Sequence, residues 1–221
     1  PVLQPLLEEY IMSVTHLNNF LDITKDGPYY FFEQNFLHFP QAKSASMSYG
    51  TAVHKTAEAI YAYLKTNGTA PTLQNVQIMF GEKLEKEKMD KQDFINYLEK
   101  GNNVWKVYFE TAKNRLDPSH WIETDFKLQQ VMVDKVQITG KIDKIIPNEQ
   151  EKFLEVYDFK TGKYQRDWNG KDVYKKIQLH NYKRQLVFYK LLIEGSRDYS
   201  KYRVNRGYLE FLSPTTENEI L

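Results

Sequence analysis

Apolar residues recur along this chain with two different periods, and the change from one to the other divides it. In "SYGTAVHKTAEAIYAYLKTNG", Val53, Ala57, Ile60 and Leu64 fall on one face at helical spacing, and Asn67-Gly68 supplies a stop. Before this helix, Ser13 is placed to cap a short one, "VTHLNNFLD". The stretch "DGPYYFFEQNFLHFP" reads as aromatic-rich irregular structure, broken by Gly27-Pro28. From Leu73 to Leu116 the pattern is helical and strongly charged, with Phe94, Leu98, Val104, Val107 and Tyr108 as packing positions. It predicts two helices separated near Gly101-Asn102.

At Trp121 the period falls to two. "WIETDFKLQQVMV", "KVQITGKIDKIIP" and "KFLEVYDFKTG" are β-rich and closely spaced, which predicts a three-stranded meander turning near Asp134 and at Asn148-Glu149. A polar stretch from Lys163 to Lys176 follows. Then come a helix, "LHNYKRQLVFYKLLIEG", stopping at Gly195, and a last strand, "YRVNRGYLEFLSP", closed by Pro214. The reading is α/β: a core of helix, three strands, helix and strand, with an added N-terminal helical region.

Composition narrows the picture. With 221 residues, 41% hydrophobic and 27% charged, the chain suits one folded core, a single domain over residues 1–221. No apolar run approaches the roughly 18 residues that span a bilayer, and the start has no charged segment leading into an apolar one. The expectation is a cytoplasmic protein without membrane contact. The first residue is Pro1 rather than Met, as expected of a piece of a longer protein or of a trimmed tag. There are no cysteines, so disulfides and Cys-held metals are excluded, and any metal must be bound by oxygen or imidazole. A net charge of +1 does not by itself announce a nucleic-acid binder.

The chemistry gathers at strand ends. In "LEVYDFKTGK", Leu154, Val156, Asp158 and Lys160 share one face, apolar first and charged last. Glu155 is on the opposite face. In the preceding strand, "VQITGKIDKII", Asp143 interrupts an apolar pattern at a similar place. A turn between them would bring the two carboxylates together. Two acids in a half-buried cleft repel, and a hard divalent cation such as Mg²⁺ removes the conflict because it prefers oxygen ligands and keeps several waters. A lysine ammonium beside them suits orienting a water, or stabilising charge on phosphorus, better than abstracting a proton.

Two flanking motifs complete the set. "GTAVH" places Gly50 four residues before His54, with Glu58 one turn beyond, and "QLVFY" places Gln185 and Tyr189 on one helical face. Each has a plain alternative: a helical histidine packs or caps, and Tyr189 fits a core stripe with Tyr182, Leu186 and Ile193. Together, "GTAVH", "GKID", "YDFKTGK" and "QLVFY" resemble, in order, the motifs of the PD-(D/E)XK nuclease superfamily, specifically its RecB-like exonuclease branch. The resemblance extends to "SVTHLNNFLDITKDGPYYFF" and so covers nearly the whole chain. Where the superfamily carries Pro-Asp, this chain has Ile142-Asp143. Many relatives hold an iron–sulfur cluster on cysteines, one of them in a Cys-Pro where Gly27-Pro28 stands here; with no cysteine, this chain holds no such cluster.

The resemblance implies a restriction-endonuclease-like fold with an opening segment at 1–45, a helical region with the histidine at 46–116, and the catalytic sheet and helix at 117–221. It implies hydrolysis of DNA phosphodiesters with Mg²⁺ or Mn²⁺. His54, Asp143, Asp158 and the backbone carbonyl of Phe159 would hold the metal, Lys160 would place the attacking water, and Gln185 and Tyr189 would assist. Glu58 would support His54 or the water. Tyr164, Arg166, Trp168 and Lys171 mix aromatics with basic groups and are candidate contacts to DNA, single-stranded or at ends, although a solvated loop explains them as well. Relatives in this branch often accompany a UvrD/Rep-type helicase in repair and recombination of DNA; a freestanding CRISPR-associated exonuclease is a second context. A DNA-binding or scaffolding module on an inactive nuclease fold is the rival of another class.

Overall fold

The computed structural model describes residues 3–164 and 168–213, so Arg166 and Pro214 lie outside the described residues. In chain order the helices and strands are α1 (Gln4–Glu8), β1 (Met12–Ser13), α2 (Val14–Leu21), α3 (Pro28–Phe31), α4 (Ala45–Asn67), α5 (Leu73–Glu85), α6 (Lys91–Thr111), β2 (Trp121–Asp125), β3 (Val131–Val133), β4 (Val136–Thr139), β5 (Lys141–Asn148), β6 (Phe153–Lys160), α7 (Val173–Gly195) and β7 (Arg203–Phe211). A three-stranded sheet has the order β1-β4-β3 and a four-stranded sheet the order β2-β5-β6-β7. The chain divides into two compact units.

The first unit is Pro1–Gln41, Thr124–Val156 and Asp167–Tyr208. Its β3–β4 hairpin is antiparallel, with Val131 opposite Ile138, and turns at Asp134 in the left-handed conformation. β1 adds to β4 in parallel. Ser13 caps α2 with its hydroxyl, as the sequence predicts, and the helix packs against α7. The aromatic stretch after Pro28 is helical rather than irregular: α3 continues into a π-helical turn, Phe32–Phe36. Stacking accounts for this, since Phe31 meets both Tyr10 and Phe20 edge-on and Phe32 stacks on Phe36.

The second unit is Ala42–Glu123, Tyr157–Arg166 and Leu209–Leu221. Its core joins α4, α5 and α6 through Val53, Ala57, Ile60, Phe80, Leu84, Val104 and Trp105, and takes in Phe159 from the end of β6. Each of the three helices starts at a side-chain cap: Ser44 accepts from Met47 N, Thr72 from Asn75 N, and Asp90 from Gln92 N and Asp93 N. Gly68 ends α4 in the left-handed conformation.

The break between α5 and α6 therefore falls at Lys86 to Asp90, not at Gly101, because Asp90 inside a charged run is a cap. Gly101 lies within α6 and serves close packing. A β-carbon there would stand 2.1 Å from the ring of Phe80, which is fully buried. The expected meander also differs. A turn at Lys127–Gln129 and the break at Gly140 cut two expected strands into four, and β3 and β4 leave to form the small sheet with β1. α7 begins earlier than expected, at Val173, where Asp172 accepts from Lys175 N.

Gly101→Ala should lower stability by about 1–3 kcal/mol through overpacking against Phe80. Denaturant unfolding checks this, and adding Phe80→Leu should cost less than the sum of the two single changes.

Candidate metal centre

The end of β6 alternates strictly. Leu154, Val156 and Asp158 are buried on one face, and Phe159 points the other way into the helical core. Asp158 is only 3% exposed, and its Oδ2 stands 2.5 Å from the Lys160 ammonium. An acid can be buried this deeply because the ammonium two residues on shares its face and offsets its desolvation. The strand end is held firmly: Leu212 N donates to the Lys160 carbonyl at 2.8 Å, and Ser213 Oγ donates to the Thr161 carbonyl at 2.8 Å.

α4 runs beside this strand end. The ring of His54 meets the ring of Phe159 edge-on, with centroids 5.9 Å apart. A β-carbon on Gly50 would lie 3.5 Å from Thr161 Oγ1, an ordinary contact, so the first turns of α4 reach the residues that follow the strand. His54 is thus set on the flank of the helix, next to the buried stripe and next to Phe159. Glu58 is exposed.

A carboxylate that the sequence reading passed over lies in the same unit. Glu123 on β2 offers a ligand atom within 4.8 Å of one on His54. Its backbone is in the left-handed region, φ 54°, which is uncommon for a non-glycine residue. The only signal in the sequence was an acid in the middle of "WIETD", which is ordinary for an amphipathic strand.

In the other unit, Asp143 is 8% exposed on β5, between buried Ile142 and buried Lys144. β5 neighbours β6 in the sheet. Gln185 and Tyr189 pair on α7, with Gln185 Nε2 donating to the Tyr189 hydroxyl at 3.1 Å. Tyr189 is 3% exposed and so is also a core residue. Trp168 is half exposed, with the Lys183 ammonium 5.2 Å from its ring, and Lys171 is exposed. In the helical unit, Tyr164 packs edge-on against Phe211.

Behind His54, the hydroxyls of Tyr61 and Tyr108 are pushed well up, by burial first and by the Glu210 carboxylate second. Tyr61 also hydrogen-bonds His120 Nδ1 at 3.3 Å. Both tyrosines stay neutral at any ordinary pH, so they are packing and hydrogen-bonding groups, not proton carriers.

The donors fit a hard divalent cation: buried or half-buried carboxylates, an imidazole and backbone oxygens, with no thiolate in the chain. A family model described as the PD-(D/E)XK nuclease superfamily matches residues 11–220. A comparison with curated proteins finds no match.

Replacing Lys160 by Ala removes the positive charge beside a carboxylate whose side chain is 4% exposed. The metal-free variant should lose about 3 kcal/mol of stability. Urea unfolding in chelator measures this, and millimolar Mn²⁺ should recover part of the loss.

Proposed function

We propose a specific activity for this chain, which belongs to the PD-(D/E)XK nuclease superfamily: it hydrolyses DNA phosphodiesters with Mg²⁺ or Mn²⁺, as an exonuclease of the RecB-like branch. The observation that carries this reading is the Asp158–Lys160 ion pair at the buried end of β6, with His54 beside the same strand end. In the reading, residues 1–221 form one nuclease domain of a cytoplasmic protein that works with a helicase in repair and recombination of DNA. The order of the four motifs supports that context. No described helix is long and apolar enough to cross a membrane.

His54, Asp143, Asp158 and the Phe159 carbonyl would hold the cation. When bound, it supplies positive charge at the scissile phosphate and acidity to a water molecule. The chain's own groups do the rest. Asp158 fixes the Lys160 ammonium, which donates hydrogen bonds to the attacking water and holds it in line with the leaving oxygen. Phe159, anchored in the helical core, keeps both charged side chains on the opposite face of the strand. The Gln185 amide, held by the Tyr189 hydroxyl, would contact the phosphate or steady Lys160. Glu58 would assist His54 from the helix surface.

The DNA strand would pass over Trp168 and Lys171, with Tyr164 and Arg166 as further contacts. The Lys183 ammonium over the Trp168 ring supports this reading, because a half-exposed indole beside cations can stack a base while the cations meet phosphate.

Labelled single-stranded DNA should be degraded with Mg²⁺ or Mn²⁺ by the parent, and at least about 100-fold more slowly by Asp158→Ala and Lys160→Ala. Equal rates in all three would sink the assignment, and DNA binding with no cleavage by any would favour the inactive binding module. Trp168→Ala should weaken binding of single-stranded DNA by about 1–3 kcal/mol. Fluorescence anisotropy in chelator reads that change, and Mn²⁺ affinity should be unaltered.

A further inference from the structure

We propose that Glu123 is a further ligand for the divalent cation, facing His54 across the site. The inference rests on the nuclease reading and adds a residue to it. Around an octahedral cation with bonds of about 2.1 Å, neighbouring ligand atoms are roughly 3 Å apart and opposite ones roughly 4.2 Å. The Glu123 and His54 ligand atoms lie within 4.8 Å of one another, so small side-chain rotations bring both onto one ion.

Charge gives an independent reason. Asp158 is in contact with the Lys160 ammonium, so the two nearly cancel. His54 binds metal as a neutral imidazole, and the proposed ligand Asp143 contributes one negative charge. A second carboxylate would balance a dication, and Glu123 is an acid at His54's side. Its position is also held against a cost. A glutamate at φ 54° within a strand is uncommon, and the surrounding packing holds it there.

The alternative role is a carboxylate that only hydrogen-bonds the imidazole or braces the strand. A ligand differs from a brace in the metal-free protein: loss of a ligand weakens metal binding without lowering apo stability. The test is titration calorimetry of Mn²⁺ into the parent, Glu123→Gln and the surface control Glu82→Gln, exposed on α5, with melting temperatures in chelator. Glu123→Gln should bind Mn²⁺ at least about tenfold more weakly, melt in chelator no lower than the parent, and regain cleavage as Mn²⁺ is raised. Glu82→Gln should bind Mn²⁺ as the parent does. A Mn²⁺ affinity of Glu123→Gln lowered by less than tenfold, or a loss accompanied by a lower apo melting temperature, overturns the proposal. If the parent itself neither binds Mn²⁺ nor cleaves DNA, the nuclease reading has failed; if the parent does both and Glu123→Gln matches it, only the role of Glu123 has.

Discussion

Phe159 is the side chain on which the candidate site depends. Its ring is buried in the core made by α4, α5 and α6, and a strand allows successive side chains only opposite faces. Once Phe159 is committed to the helices, Asp158 and Lys160 must both emerge on the other side. The same ring stands edge-on to His54, so one packing contact sets the strand end and the helix that carries the histidine. The pins from Leu212 and Ser213 prevent the strand end from fraying.

This arrangement explains how charge is tolerated where a fold would ordinarily bury valine. A carboxylate that is 3% exposed is costly unless something compensates its lost hydration. Lys160 does so in the metal-free protein at the cost of neutralising Asp158. A cation-binding site built this way needs negative charge from elsewhere, which is why further acids near His54 have chemical weight. Membership of the PD-(D/E)XK superfamily and the α/β order of elements agree with a restriction-endonuclease-like fold.

Much of the local structure was legible because it is decided by short-range chemistry. Ser13 and Gly68 close helices where the sequence says they should, and the alternation in "LEVYDFK" survives in the burial of β6. Errors arose where a residue type had two local meanings. Gly101 reads as a breaker and is a packing glycine against Phe80; Asp90 reads as one more charge in a helix and is a cap. The aromatics after Pro28 suggest irregular structure only until their partners Tyr10 and Phe20 are known.

What the sequence determined by itself is the kit and its order: two acids at strand ends, a lysine two residues after one of them, a histidine on an amphipathic helix, a glutamine one turn before a tyrosine, and no thiol. Those types restrict any bound metal to oxygen and imidazole donors. Tertiary structure alone decided the neighbours. Glu123 lies beside His54 because long-range packing brings β2 to α4, and neither that packing nor the left-handed backbone at Glu123 has a periodic trace in the chain. Periodicity records which face a residue occupies within its own element; what stands opposite that face is set by long-range packing.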